Sequence, residues 1–371
     1  MPIVQISRIQ HRRGKKTDLP QLAAGELGWS IDDQRLYIGN GTVADGAPAV
    51  GNTEILTAGS SAFTTALRHT YKGYLGDSTP ITTSTQRAVA EKLDDIVSVK
   101  DFGAKGDNST ADLTAIQNAI DEIYRDTDKA DTRSRRILLF PAGTYRINAS
   151  MTIPPYAHLV GEGPDKTIIR NSGNGPVAVT EDTDGNVYGS IGSAPTQIQV
   201  SNMTFKNTVA YGGVSIDNAT KLYFNNCKFE GSYAQGGADA SNSKGVTVRS
   251  TTALPCSQVV FNQCQFTKFA RLVDLSYDVT NVRFNDCDFS VSYYGALIGE
   301  QMDGSSNGLT SGPVDVQFTG SSWSTIHQQA LWVKPTAGAN AGVGPRNIIS
   351  NGNWYAKDVA NSNKGIGSID E

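Results

Sequence analysis

The sequence has little charge and no long apolar run. Charged side chains make up 18% of the 371 residues, and 32 Lys and Arg stand against 36 Asp and Glu, for a formal net charge of −4. Binding to a phosphate backbone needs concentrated positive charge, so we predict no nucleic-acid partner. No run of about eighteen apolar residues occurs, and the N-terminus lacks a basic stretch followed by an apolar one. We therefore expect a soluble chain that does not insert into a membrane and is not exported by a signal peptide.

Cysteine and metal-ligand patterns are also scarce. The four cysteines form no CxxC pair, and no His lies at ligand spacing from them, so we predict no metal site. The glycine-rich runs at 189–192 and 338–344 do not follow a strand and open a helix, as phosphate-binding loops do. We accordingly expect no cofactor. The chain does contain 38 glycines and many Asn, Ser and Thr, which is typical of short strands joined by tight turns.

Six segments share one frame, with an apolar residue at the first position, Met, Cys, Ser or Gly at the fourth and an aromatic residue at the sixth. Their last residues are 23 to 37 positions apart. One coil of a parallel β-helix takes roughly twenty residues or slightly more, so the shorter intervals fit one coil and the longer ones a coil plus a loop. The segments are Val200–Phe205, Phe224–Phe229, Phe261–Phe266, Phe284–Phe289, Phe318–Trp323 and Ile349–Trp354.

Stacked coils would place the fourth and sixth positions in internal columns, because alternate strand residues share a face. The fourth-position column would contain Met203, Cys227, Cys264 and Cys287. We interpret these cysteines as small buried hydrophobes without disulfides, since parallel strands keep neighbouring Cβ vectors parallel. The second positions predict an amide ladder at a left-handed bend. That ladder would be formed by Asn225, Asn262 and Asn285.

The region before the repeat predicts one helix. Its apolar face is Leu113, Ile116, Ile120 and Ile123, after a Ser-x-x-Asp cap at Ser109. Three strings in this region resemble the opening signature of the pectate-lyase-like superfamily, in the branch that includes phage tailspikes. They are Asp101–Asp107, Thr114–Gln117 followed by Ala119 and Ile120, and Phe140–Tyr145. The resemblance implies a mainly β protein with a single-stranded right-handed parallel β-helix at 98–371, capped by the N-terminal helix.

The first fifty residues predict a small β-rich domain with a basic turn at Arg12–Lys16. That turn is either a solvated loop or a docking surface for an acidic partner. Three strings resemble the N-terminal attachment module of phage tail-fibre proteins, namely Arg12–Gly14, Ala23–Gly28 and Leu36–Gly41. The resemblance implies that residues 1–50 bind other phage tail or baseplate proteins.

Residues 51–97 have fewer large apolar residues and predict a connector. Thr83 and Gln86 fit a capping box, followed by Val89, Leu93 and Ile96 at helical spacing. This short helix either packs on its own domain or forms the neck of a three-chain bundle.

These features favour a protein of the bacteriophage virion, located in the tail. It would be a tail fibre or tailspike whose rigid rod serves host attachment. The tailspike resemblance implies a homotrimer. The alternative is a depolymerase that cleaves host surface polysaccharide, while a free pectate lyase is disfavoured by the lack of clustered Asp with an adjacent Arg. Tyr277, Tyr293 and Tyr294 fall in long connections, where they either pack locally or stack on sugars.

Glycoside hydrolysis needs two suitably spaced carboxylates. Asp286 and Asp288 are the most suggestive pair, because an i, i+2 relation on a strand puts both on the outer face about 7 Å apart. Glu300 and Asp303 lie in a Gly- and Ser-rich stretch that could overhang that face. The equivalent positions in neighbouring segments are Asn226 with Lys228 and Gln263 with Gln265, which is typical of a plain polar surface. We therefore predict that the chain is not an enzyme.

Overall fold

The computed structural model separates into two compact units, Met1–Asp95 and Ile96–Glu371. It describes residues 12–45, 51–55, 68–70, 74–75, 79–80, 86–93, 95–124, 136–180, 195–250, 256–276, 278–299, 312–333 and 344–356.

The first unit is built on a four-stranded sheet. The strands β1 and β2 pair in parallel, whereas β2 with β3 and β3 with β4 are antiparallel. Buried Leu22 packs on one face beneath Gly28. The sheet consists of β1 (Arg12–Gly14), β2 (Leu27–Ser30), β3 (Arg35–Gly39) and β4 (Asn52–Ile55).

The segment predicted as a connector contains short strands as well as a helix. The helix α1 (Val89–Leu93) ends before Ile96, so the predicted stripe of three apolar helix positions is wrong: Ile96 belongs to a strand of the second unit. Thr83 of the proposed capping box lies outside the described residues. The strands are β5 (Arg68–Thr70) paired with β8 (Gln86–Ala88), and β6 (Tyr74–Leu75) paired with β7 (Thr79–Pro80).

The second unit is a parallel β-helix with three sheets. All of its strand pairs in the described residues are parallel, and each coil passes from the first sheet to the second and then to the third. The first sheet contains β9 (Ile96–Ser98), β11 (Ile137–Phe140), β14 (His158–Gly161), β17 (Thr196–Ser201), β20 (Thr220–Asn225), β23 (Cys256–Asn262), β26 (Val279–Asn285), β29 (Val314–Thr319) and β32 (Arg346–Asn351).

The other two sheets follow the same succession of coils. The second sheet contains β10 (Asp107–Ala111), β12 (Gly143–Ile147), β15 (Thr167–Asn171), β18 (Thr204–Asn207), β21 (Lys228–Glu230), β24 (Gln265–Thr267), β27 (Asp288–Ser292), β30 (Ser322–Ile326) and β33 (Trp354–Tyr355). The third sheet contains β13 (Met151–Ile153), β16 (Ala178–Thr180), β19 (Val214–Asp217), β22 (Lys244–Arg249), β25 (Arg271–Leu275), β28 (Tyr294–Ile298) and β31 (Leu331–Val333).

The helix α2 (Leu113–Tyr124) covers the first coil, as the resemblance implied. Its buried residues include Ile116, Ile120 and Ile123, and the helix contacts β11, β12 and β13. The predicted Ser-x-x-Asp cap is wrong, because Ser109 lies in β10. Asp112 precedes the helix, but its carboxylate accepts hydrogen bonds from the backbone N–H groups of Lys105 and Gly106 at 2.7 and 3.1 Å. It therefore fastens the preceding loop.

Two aromatic columns form the core of the β-helix. In the first sheet, Phe224, Phe261, Phe284 and Phe318 stack with centroid separations of 4.7 to 5.1 Å. In the second sheet the column runs from Phe205 through Phe229, Phe266 and Phe289 to Trp323, with separations of 3.9 to 5.5 Å. Rings of the two columns meet edge to face, which adds to the stabilisation from burial.

The predicted cysteine column is confirmed. Met203, Cys227, Cys264 and Cys287 are all buried, and each of the three thiols donates to a backbone carbonyl of the preceding coil at 3.4 to 3.6 Å. All four cysteines of the chain are free, as expected. Burial raises the pKa of the Cys264 thiol well above its usual value, so this thiol is neutral at physiological pH.

The asparagine ladder is also confirmed, but its backbone conformation is not the predicted one. Asn262 donates to Asn225 at 2.8 Å, and Asn285 donates to Asn262 at 2.9 Å. The left-handed residue is the next one along the chain, with φ of 50° to 58°. The ladder residues remain in strands, because their side chains must stack in register. The left-handed positions are Asn202, Asn226, Gln263 and Asp286, followed by Gly320 and Gly352.

The sixth repeat segment was assigned one residue out of register. Phe318 pairs with Ser350 rather than Ile349, and Trp323 pairs with Tyr355 rather than Trp354. Trp354 is therefore 64% exposed, whereas Tyr355 continues the internal stack at 5.9 Å from Trp323. Both Trp354 and Tyr355 are aromatic, so the alternation pattern alone could not select between them.

Candidate functional site

The carboxylate pair favoured by sequence does not lie on one strand. Asp286 occupies the left-handed bend, with φ of 52°, and Asp288 begins the next sheet, so the i, i+2 strand separation does not apply. Cys287 points inward between them. The Asp288 carboxylate accepts a hydrogen bond from the Ser322 hydroxyl at 2.7 Å. The other predicted residues, Glu300, Asp303 and Tyr277, lie outside the described residues.

Two of the predicted tyrosines do not lie in a long connection: Tyr293 is the single residue between β27 and β28, and Tyr294 begins β28. They belong to a partly exposed aromatic patch. Tyr293 stacks on His327 with a centroid separation of 5.1 Å, and Tyr294 contacts Trp332 at 4.9 Å. The two tyrosines meet edge to face at 4.8 Å. Burial raises the pKa of Tyr233, and the nearby Tyr293 adds to that shift. We call Tyr233, Tyr293, Tyr294, His327 and Trp332 the aromatic patch.

An ion cluster lies beside this patch on the outer face of the third sheet. Asp274 is fully buried, with the Lys244 ammonium 2.9 Å and the Arg271 guanidinium 3.7 Å from its carboxylate. Arg271 also forms a bidentate pair with Asp239, at 3.1 and 2.7 Å. In the sheet, Arg271 pairs with Tyr294 in register. We call Lys244, Asp239, Arg271 and Asp274 the ion cluster.

The ion cluster fastens a connection to the sheet. Residues 231–243 join the second sheet to the third, and Asp239 lies within them. The Ser243 carbonyl accepts a hydrogen bond from the Arg271 N–H at 2.9 Å, and the Ser243 hydroxyl accepts one from the Ala270 N–H at 3.2 Å. The Tyr233 hydroxyl donates to the Gly237 carbonyl at 2.9 Å. This connection, with the aromatic patch beside it, is a firmly held surface.

The chemistry of this region suits binding better than hydrolysis. A general acid must give its proton to the leaving oxygen, but both oxygens of Asp239 accept from Arg271, and Asp274 has no exposed surface. The partly exposed aromatic rings of the patch can instead stack on the apolar faces of sugars. In the part of the chain that the structure describes, no cluster of His, Cys, Asp or Glu could hold a metal.

The sequence did not point to the ion cluster. Its one signal is Asp274, a charged residue inside the apolar run Leu272–Leu275, which in a parallel sheet requires a buried partner. The partner Lys244 is supplied by the previous coil and Asp239 by a loop, so neither was visible from local spacing.

The first unit offers a second candidate surface. The residues Leu27, Trp29, Leu36, Ile38 and Ile55 share the sheet face opposite Leu22, and none of them is fully buried. Trp29 is 36% exposed and pairs in register with Arg13. We call these five residues the apolar face.

The basic turn beside the apolar face is partly neutralised within the unit. Arg12 is 2.6 Å from Glu26, and Lys16 is 3.8 Å from Asp33. Its remaining basic residues, Arg13 and Lys15, are exposed.

Comparison with protein families gives two matches. Residues 96–367 match the model described as rhamnogalacturonase A/epimerase, pectate lyase-like. Residues 9–43 match the major tropism determinant N-terminal domain. In the residues that the structure describes, no helix has the length and apolarity needed to cross a bilayer.

Individual relatives are distant. A probable glucan endo-1,3-beta-glucosidase of Arthroderma benhamiae is 27% identical over 203 residues, which are 52% of this chain and 23% of that protein. The pre-mature gene product 12 of bacteriophage phi29 has a TM-score of 0.52 at 18% identity over 73% of this chain and 34% of its own. A tailspike mutant of Escherichia coli bacteriophage HK620, solved with a pentasaccharide, has a TM-score of 0.52 at 15% identity over 83% of this chain and 56% of its own. The predicted right-handed parallel β-helix is confirmed.

Proposed function

Because the chain belongs to the rhamnogalacturonase A/epimerase, pectate lyase-like family, we propose that it is a β-helical tail fibre or tailspike of a bacteriophage. The observation that carries this proposal is the joining of two parts in one chain. A segment like the N-terminal domain of a major tropism determinant precedes a β-helix whose coils stack into three parallel sheets. The chain is a structural adhesin of the virion tail, in which the N-terminal unit docks to the tail and the rod contacts the host. It spans less than a quarter of the curated glucosidase and about a third of the phi29 protein.

Docking to the tail is assigned to the apolar face of the first unit. Trp29→Asp should reduce incorporation of the chain into virions at least tenfold, because a carboxylate would have to be buried against the partner. Quantitative immunoblots of purified virions and of the lysate measure this. The matched control is Val43→Asp, since Val43 is 69% exposed in the same unit but outside the apolar face. Equal incorporation of both variants would refute the docking surface, and absence of the unaltered chain from virions would refute the tail function.

A homotrimer is the proposed assembly, and an outward row of the first sheet supports it. In register from β9 to β32, this row consists of Ile96, Ile137, His158, Gln199, Tyr223, Val260, Arg283, Gln317 and Ile349. Four of its members are large hydrophobics that are 38% to 59% exposed. A row that runs parallel to the rod and carries exposed hydrophobic side chains among polar ones could be covered along its length by a second rod of the same length. We call this row the seam.

Light scattering should give about three times the chain mass of 39.5 kDa. Tyr223→Glu combined with Val260→Glu should release monomers at micromolar concentration, because the charges would face each other across the seam. Gln265→Glu, an exposed position on the second sheet, should leave the trimer intact. A monomeric unaltered chain would contradict the assembly.

We propose that the rod binds host polysaccharide through the aromatic patch without cleaving it. A depolymerase is the second candidate, favoured by the curated relative named as a glucosidase. Incubation with capsule or lipopolysaccharide of the strain that the phage infects should yield no new reducing ends or unsaturated uronates. Release of defined oligosaccharides that is abolished by Asp239→Asn or Asp288→Asn, but not by Asp18→Asn at an exposed position of the first unit, would establish the depolymerase.

A further inference from the structure

The outer face of the second sheet carries a row of positive charge that the proposed function has not used. Arg146, Arg170 and Lys206 follow one another on adjacent strands in exact register, and Lys228 and Lys268 continue the charge on the next two coils. Adjacent strands lie about 4.8 Å apart. We call Arg146, Arg170, Lys206, Lys228 and Lys268 the basic strip.

Folding accounts for Lys206, which pairs with Glu230, but not for Arg146 and Arg170 at the first two positions of the basic strip. Like charges on neighbouring strands repel and destabilise a sheet. The Arg170 guanidinium donates to the neutral side-chain oxygen of Asn108 at 2.9 Å, which does not neutralise its charge. An anionic ligand would relieve the repulsion between the two guanidinium groups.

The far end of the basic strip is organised by one carboxylate. Glu230 lies 3.0 Å from the Lys206 ammonium, 3.6 Å from that of Lys228 and 3.4 Å from that of Lys268. Burial alone would raise the pKa of Glu230, but the hydrogen bond from Lys206 and the three lysine charges lower it overall. Glu230 thus holds three ammonium groups together, and its carboxylate neutralises only one of their three positive charges.

Among the residues that the structure describes, one further carboxylate contacts the basic strip. Asp165 lies 3.5 Å from Lys228 and is 89% exposed. Five cations against two carboxylates leave the region positive, although the whole chain has a net charge of −4.

The surroundings of the basic strip select the class of anion. Beyond Glu230 the same outward row continues with the hydroxyl residues Thr267, Ser290 and Ser324, and the Ser290 hydroxyl donates to that of Thr267 at 3.1 Å. Single-stranded nucleic acids are held by positive charge interleaved with stacking aromatics. This row contains no aromatic residue between Arg146 and Ser324. Hydroxyl side chains next to positive charges instead suit an acidic polysaccharide, whose sugar units carry both hydroxyl groups and carboxylates.

We infer that the basic strip binds a linear acidic polysaccharide, with uronate carboxylates on Arg146 and Arg170 and the chain running along the rod toward the hydroxyl residues. This inference rests on the proposed function, since it names the charge class of the glycan that the adhesin contacts. It differs from the aromatic patch in location, on the second sheet rather than the third, and in depending on charge.

Hyaluronate is the probe, with its carboxyl-reduced derivative and single-stranded oligothymidylate as comparisons, titrated calorimetrically into the full chain. Arg146→Gln combined with Arg170→Gln should weaken hyaluronate binding about tenfold or more, because two charged hydrogen bonds are lost. Glu230→Gln should tighten it severalfold. The control that removes the same net charge is Lys221→Gln combined with Arg346→Gln, both exposed on the first sheet, and it should bind as the unaltered chain does. Added salt should weaken binding.

Three results would overturn the inference. They are absence of hyaluronate binding at low salt, equal binding of the carboxyl-reduced polymer, and tighter binding of oligothymidylate than of hyaluronate. Thermal melting of every variant excludes loss of folding as the cause. Because the assay uses purified protein, hyaluronate binding by a chain that is absent from virions would refute the tail function alone.

Discussion

Replacing Cys264 with Asp is expected to lower the free energy of unfolding of the β-helix by several kcal/mol. The Cys264 thiol is fully buried and lies 3.4 Å from the backbone carbonyls of both Phe224 and Asn262. A carboxylate there would be desolvated and would face two carbonyl oxygens, without a donor to compensate. Chemical denaturation followed by circular dichroism measures the loss.

Two variants at the same position separate charge from volume. Cys264→Ser keeps the shape and a donor for the two carbonyls, so it should cost only about 1 kcal/mol. Cys264→Ala creates a small cavity and should cost about 1–3 kcal/mol. If Asp proves no more harmful than Ala, the side chain does not face the interior and the column is misassigned.

Removing the carboxylate of Asp274 should destabilise the chain by about 3–5 kcal/mol, because Asp274→Ala leaves the buried Lys244 ammonium beside an uncompensated cavity. Lys244 and Asp274 are 10% and 0% exposed at the side chain, and their charged groups are 2.9 Å apart. The change should also loosen residues 231–243, since Arg271 links Asp239 to the same cluster. Chemical denaturation measures the loss of stability, and hydrogen exchange of residues 231–243 measures their loosening.

The exposed pair of Asp165 and Lys228 provides the contrast. Their charged groups are 3.5 Å apart, but Asp165 is 89% exposed, so Asp165→Ala should cost less than about 1 kcal/mol. Lys244→Met combined with Asp274→Leu removes both buried charges and should recover most of the loss from Asp274→Ala. A double variant as unstable as the single one would mean that packing, rather than the uncompensated charge, sets the cost.

The β-helix could be predicted because its determinants repeat. Each coil presents an apolar residue, a bend and a second strand at fixed offsets, so Cys227, Cys264 and Cys287 could be aligned without a structure. The prediction failed where two adjacent residues satisfied the same pattern, as at Trp354 and Tyr355. Only the hydrogen bonds between strands decide which of the two lies inside, and these are not encoded by local alternation.

The candidate site was much less predictable. The sequence singles out Tyr293 and Tyr294, but their partners His327 and Trp332 come from the next coil. The predicted 7 Å strand separation of Asp286 and Asp288 is wrong, because a left-handed bend at Asp286 interrupts the strand between them. Asp274 was missed because its partners are Lys244 in a neighbouring coil and Asp239 in a connection, and distances between coils depend on loop lengths.

The bend between the first and second sheets has a consequence for how such a protein can change. In six successive coils it is two residues long, one left-handed and one inward, as at Asn226 and Cys227. The connections at the other two corners range from one to fifteen residues. In these six coils, insertions are therefore tolerated at two corners and disfavoured at the third. A tail protein under selection by changing hosts can vary those two edges freely, coil by coil, while the aromatic columns keep their register.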